Sequence, residues 1–153
     1  MKRLLALALL LTIIGTVSFA QPTRIRVPQD QPTVQAGIDA AVNGDTVLVA
    51  EGTYMVNLVL TKKIVLGSLY LVDQDTSHIS KTILNGSTPR NTDSSSVITV
   101  AGLTDTTTVV TGFTITGGQG NRRDFAGTYP YRVGTGIDVA GGGARISQHY
   151  QKK

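Results

Sequence analysis

The sequence predicts an all-β chain that stacks short strands into a solenoid and closes its leading end with one short helix. Two observations carry this reading. From Gly44 onward, bursts rich in Thr, Val and Ile recur between Gly, Asn, Asp and Ser: TVLVA, VNLVL, KIVLGSLYLV, TILNG, VITVAG, TTTVVTGFTITGG and GIDVAGGG. Such a composition favours strands over helices. In addition, one pattern (apolar, any, apolar, small or Thr, any, Gly) recurs at 47–52, 113–118 and 137–142, with a shortened copy at 98–102. The last two full copies are offset by 24 residues, and a period of that size suggests a stacked architecture.

The first twenty residues stand apart from that domain. Lys2 and Arg3 precede an apolar run, Leu4 to Val17, which ends at Ser18-Phe19-Ala20. A charged start, an apolar centre and small residues flanking a cleavage point read as a secretory signal peptide. A membrane-spanning helix needs about 20 apolar residues; this run is shorter and contains Thr12, Gly15 and Thr16. The expected organisation is therefore a signal peptide at 1–20, a domain at 21–146 and an irregular tail at 147–153, with the product secreted or held at the cell surface. Without Lys2 and Arg3 the chain keeps 12 basic and 10 acidic residues. No basic stripe with interleaved aromatics appears, which argues against a nucleic-acid partner. The absence of Cys excludes disulfides, thiolate metal sites and a lipid-anchored leader.

Gln21 to Arg26 is polar and short. The segment VPQDQPTVQAGIDAAVNGD carries the helix, expected over about 33–42. Asp30 or Thr33 can cap it and Pro32 suits its start. Val34, Ile38, Ala41 and Val42 share one face at helical spacing, and Asn43-Gly44 ends it. A helix this short is marginal alone, so it must lie on an apolar surface. Period-two alternation then turns pairs of residues inward: Val47 and Val49, Leu58 and Leu60, Ile64 and Leu66, Ile98 and Val100, Phe113 and Ile115, Ile137 and Val139. Gly and Asn supply the bends between strands. Each strand would bond to its equivalent one coil above and below, and the helix would cover the open first coil.

The stretch Thr33 to Gly118 resembles the N-terminal part of secreted right-handed parallel β-helix proteins, the pectin-lyase-like fold. The residues that carry the resemblance are PTVQAGIDAAVNGDTVLVAEGTY, KKIVLGSLYLVDQDTSHISKTILNG and GFTITGG. It implies an all-β, right-handed parallel β-helix solenoid of about four coils with an N-terminal capping α-helix. Proteins of this kind are usually far longer. The ending ARISQHYQKK lacks the alternation that would continue the coil, so the chain reads as truncated. Solenoids need terminal caps, and an uncapped last coil predicts self-association.

Enzymes of the resembled fold use acidic clusters, calcium-binding Asp residues and a basic residue on one sheet. The candidates here are Asp73 and Asp75 in LVDQDTSHIS. Placed at i and i+2 on a strand, they would face the same way and are weak calcium candidates, against a reading as a solvated turn. His78 follows without a partner nucleophile or metal-ligand spacing, and His149 lies in the tail. Arg122, Arg123, Tyr129, Tyr131 and Arg132 lie in GNRRDFAGTYPYRVG, an insertion between two coils. They are the glycan-binding candidates: Tyr faces stack on sugar rings and Arg binds carboxylates. A soluble loop with Tyr packed on its own base is the competing reading. The stretches Gly117–Gly120 and Gly134–Gly143 match no phosphate-binding fingerprint. Asn85-Gly86-Ser87 is a turn signal before it is a glycosylation acceptor, and no nucleophile elbow is present. The expected function is an exported, non-catalytic β-helix module that binds polysaccharide or cell-surface glycans or acts as a spacer, with no cofactor beyond calcium. The alternative is the N-terminal fragment of a polysaccharide lyase or hydrolase, inactive alone.

Overall fold

A computed structural model describes residues 21–103, 107–123, 131–140 and 145–146. The expected leader and tail lie outside these residues. The fold is strand-rich, with mostly parallel sheets and few helices. Strand β1 (Arg24–Val27) precedes helix α1 (Val34–Ala40), followed by β2 (Thr46–Val49), β3 (Gly52–Met55), β4 (Leu58–Leu60) and β5 (Val65–Ser68). Two short helices, α2 (Tyr70–Asp73) and α3 (Ser77–Lys81), come before β6 (Thr82–Asn85), β7 (Ser94–Ser95), β8 (Ile98–Ala101), β9 (Val109–Thr111) and β10 (Thr114–Thr116). The remaining described strands are β11 (Gly120–Arg123), β12 (Tyr131–Val133), β13 (Ile137–Ala140) and β14 (Arg145–Ile146).

Three sheets are parallel: β1-β2-β5-β9-β14, β3-β6-β10 and β4-β8-β13. After β1, the chain enters them in a fixed rotation. It runs β2, β3, β4, then β5, β6, β8, then β9, β10, β13, and returns to the first sheet with β14. Register explains why the alternation in the sequence makes a core. In the first sheet Ile25, Val47, Leu66 and Val110 align. In the second, Tyr54, Leu84 and Ile115 align. In the third, Leu58, Ile98 and Ile137 align, as do Leu60, Val100 and Val139. Because neighbouring strands are parallel and in register, these rows stack apolar residue on apolar residue, while the row of Val27 and Val49 ends on buried Ser68. The inward pairs expected from the sequence are buried in this core, with Ile137 and Val139 packed half-buried against it.

The spatial repeat differs from the 24-residue offset in the sequence. Ile115 stacks on Leu84, 31 residues earlier, and Val139 on Val100, 39 residues earlier. Of the four copies of the pattern, only ITVAG and IDVAGG lie in register on one another. The excursions between strands vary in length, so no constant period survives.

Three further details depart from expectation. The polar-looking start contains β1, whose Arg-Ile-Arg-Val alternation adds an edge strand to the first sheet. The burst KIVLGSLYLV is not one strand: pairing ends at Ser68, whose Oγ accepts the Tyr70 N–H at 3.2 Å, and the chain turns into α2. The turn after β9 makes room with Gly112 at φ 80°, where a side chain would collide with Ser68 and Tyr70. Finally, Val42 is 60% exposed, because the helix has already ended at Ala40.

Helix α1 is capped by Thr33, whose Oγ1 accepts the Ala36 N–H at 3.1 Å. Asp30 binds Arg26 instead, at 2.9 Å. Buried Val34, Ile38 and Ala41 face β1, β2 and β4. Gly37 sets the closeness of that seat: a Cβ there would stand 3.0 Å from both Val27 Cγ2 and Val47 Cγ1. Glycine inside a helix costs about 1 kcal/mol relative to alanine, offset here by close packing on the core.

Polar side chains complete the seal. Gln35 accepts the Val59 N–H at 3.0 Å and donates to the Val59 carbonyl at 3.2 Å, standing where a neighbouring strand would pair with β4. Lys62 Nζ donates to the carbonyls of Ile38, Asp39 and Ala41 at 3.3, 2.6 and 2.7 Å. Asp45, 4% exposed, accepts the Thr23 N–H at 2.8 Å and the Val42 N–H at 2.9 Å. Those two N–H groups, Val42 first, hold the Asp45 carboxyl below its ordinary pKa.

Asp45→Ala therefore strands two backbone N–H groups and should lower the melting temperature by roughly 5 °C or more. Asp45→Asn should also destabilise, since an amide offers one acceptor oxygen where two are used. A carboxylate with a depressed folded pKa stabilises the fold above its unfolded value of about 4, and that contribution fades as pH falls through the folded value. The gap between wild type and either variant should thus shrink in melts recorded at about pH 3 relative to about pH 7.

Candidate functional site

The side chains with chemical potential lie on three excursions that leave the parallel sheets at their corners. The first runs from Leu69 to Lys81 and carries α2 and α3. Asp73 ends α2, and Gln74 reverses the chain with φ 63°. Asp73 Oδ1 accepts the Asp75 N–H at 2.9 Å, and Asp75 takes the Ser77 N–H and hydroxyl at 2.8 and 2.9 Å. The two aspartates sit in a helix end and a turn, so the same-face argument for a strand does not apply to them. Among the described residues, no group of three or more His, Asp or Glu side chains is arranged to hold a metal ion.

His78 has partners that the sequence did not reveal. Its Nδ1 lies 2.7 Å from Glu51 Oε1 and its Nε2 lies 3.0 Å from Asp73 Oδ2, with the ring side chain 14% exposed. Glu51 sits between β2 and β3, 27 residues before His78. Lys81 Nζ approaches the same Glu51 oxygen at 3.4 Å. The bonds to Asp73 and then Glu51 raise the His78 pKa. The Asp75 N–H and then His78 lower that of Asp73, and the Ser77 N–H and hydroxyl lower that of Asp75. An imidazolium donates through both ring nitrogens, so protonated His78 pins the excursion to the body of the fold.

The second excursion contains the glycan-binding candidates. Strands β11 and β12 form an antiparallel hairpin in which Arg122 opposes Arg132 and Arg123 opposes Tyr131, and β11 also pairs with β7. Tyr129 lies outside the described residues. The arginines are used as attachments. Arg123 Nη2 meets Asp138 Oδ2 at 2.7 Å. Arg132 Nη1 donates to the carbonyls of Thr92 and Gly120 at 2.7 and 2.9 Å. Arg122 donates its backbone N–H to Asp93 O at 2.7 Å, and its guanidinium stands 3.8 Å from the Asp93 carboxylate. Asp138 alternates with the inward Ile137 and Val139, so it points outward from β13, yet it is 7% exposed. The hairpin lies over it, and Asn121 Nδ2 donates to Asp138 Oδ2 at 2.6 Å and to Thr99 Oγ1 at 3.0 Å.

The third excursion, 86–97, roofs a cleft of about 340 Å³ that opens between it, α1 and strands β3 and β4. Met55, Asn57, Val59, Thr88, Arg90 and Asn91 are among its walls. Met55 and Val59 are 52% and 45% exposed. Among the described residues, Arg90 makes no hydrogen bond or ion pair. Sequence reasoning overlooked it, although NGSTPRNTDSSS is the polar stretch in which it is the single basic residue.

The sequence matches no family model, and no curated protein matches it. Among the described residues, no helix is long and apolar enough to cross a membrane.

Two measurements check this geometry. A group with a raised folded pKa contributes stability that is complete below its unfolded value, about 6.5 for His, and that is lost as pH rises through the folded value. Amide exchange across 70–81, corrected for intrinsic rates, should therefore accelerate several-fold as pH rises through that range. His78→Ala should show the fast rate throughout. Separately, Arg123→Ala should destabilise by about 1 to 2 kcal/mol in chemical denaturation, since Asp138 keeps Asn121 but loses its cation.

Proposed function

We propose that the chain is an exported, non-catalytic module wound as a right-handed parallel β-helix of the pectin-lyase-like kind, which presents its corner excursions to surface glycans. The observation that carries this reading is the fixed rotation through three parallel sheets around one apolar core. A chain that re-enters three sheets in the same order is winding as a coil, and stacked coils form rigid, quasi-one-dimensional scaffolds. Right-handed winding follows the strong preference of parallel crossover connections. Export is supported by the pattern of the first twenty residues. Loops held on a rigid scaffold are where binding surfaces concentrate.

The non-catalytic part of the proposal rests on how the acid–base side chains are employed. His78 gives both ring nitrogens to carboxylates, Asp73 and Asp75 bind backbone, and Arg123 neutralises Asp138. Each fastens an excursion to the scaffold. A glycan array probed with the full chain should show retention on a defined subset of saccharides. Incubation with polygalacturonate and calcium should give no rise in ultraviolet absorbance from unsaturated product. A rise would replace the binding reading with that of a lyase, and an empty array would remove the glycan from it.

A further inference from the structure

We propose that the cleft beneath the 86–97 excursion binds an acidic, N-acylated sugar unit, with Arg90 as the carboxylate anchor. The inference rests on the glycan-binding reading above and moves it from the hairpin to a different surface. The arginines of the hairpin have their guanidinium groups directed at internal partners. Arg90 does not, and it lines a concave site. The volume, about 340 Å³, lies at the low end for ligand pockets and suits one sugar unit.

The chemistry of the walls narrows the ligand. Arg90 is the one charged side chain among the described residues that line the cleft. An uncompensated guanidinium with its fork of N–H donors selects a single planar oxyanion, a carboxylate above all. The Asn91 amide and the Thr88 hydroxyl supply further donors. Asn57 turns its amide nitrogen inward to the Ser96 carbonyl at 2.9 Å. Its Oδ1, an acceptor with no partner among the described residues, suits an amide N–H. Met55 and Val59, half-exposed, offer an apolar patch for a methyl group. Carboxylate, amide N–H and methyl on one small hydroxylated body describe an N-acetylated acidic sugar.

The test titrates the full chain with three probes, N-acetylneuraminic acid, galacturonic acid and N-acetylglucosamine, by calorimetry or ligand-observed NMR. N-acetylneuraminic acid should saturate, and the other two, lacking the acyl group or the carboxylate, should each bind about ten-fold more weakly. Arg90→Gln, an exposed substitution whose fold is checked by its melting curve, should weaken N-acetylneuraminic acid about ten-fold and leave N-acetylglucosamine unchanged. Met55→Ser should erase the preference over galacturonic acid. Equal affinity for all three probes, no saturation by any, or N-acetylneuraminic acid binding that is indifferent to Arg90→Gln would overturn the assignment. Array retention that survives Arg90→Gln would remove the cleft and leave the broader glycan-binding reading standing, whereas a wild-type chain that retains no glycan would remove both.

Discussion

A stack of parallel strands has an open end wherever it begins, and closing that end is the constraint on which this structure depends. The first strands of each sheet expose one row of backbone N–H and C=O groups and, between them, the end of the apolar core. Two kinds of closure are needed at once, one apolar and one polar. Helix α1 supplies the apolar lid through Val34, Ile38 and Ala41, brought close by the missing side chain of Gly37. The polar closure comes from side chains. Gln35 acts as a surrogate strand for Val59, Lys62 gathers the carbonyls at the helix C-terminus, and Asp45 binds the backbone of Thr23 and Val42. Strand β1 pairs with β2 and so becomes the edge of the first sheet.

Once that end is sealed, in-register stacking extends the core with few demands on sequence. Most inward positions of the parallel strands take an apolar residue, with buried Ser68 aligned on Val27 and Val49 as an exception. The corners are under no such demand, so they absorb insertions, and the three excursions lie there. Polar contacts fasten two of them, the His78 bridge on the first and the Asp138 contacts beneath the hairpin on the second, while buried Ile79 and Val97 anchor the first and the third. The third excursion keeps its cation turned toward a cleft. The division of labour follows from chemistry: side chains that fasten loops are spent, and those left unspent are available to a ligand.

The core was legible in the sequence because alternation is local and each inward residue announces itself. The helix was legible too, from its spacing and its Thr33 cap. Strand β1 was not, since Arg24 and Arg26 occupy its outward positions and four residues carry too little pattern. The apolar letters of KIVLGSLYLV hid the break at Ser68, because a helical turn and a strand draw on the same residues there. The site was less readable than the fold for a physical reason. Arg123 meets Asp138, 15 residues on, and His78 meets Glu51, 27 residues back. Nothing in the spacing marks these pairs, since they depend on which strands the sheets bring together. Residue type alone suggested that the arginines of the hairpin bind a ligand, and non-local pairing decides which of them are already engaged.

The most direct measurement is the pattern of inter-strand proton contacts in solution, by NMR of labelled protein. Parallel, in-register contacts should run from Val59 to Thr99 to Asp138, with none joining β3 to β4, which are adjacent in sequence but belong to different sheets. Antiparallel contacts joining β3 to β4 as a hairpin would contradict the stacked, parallel architecture.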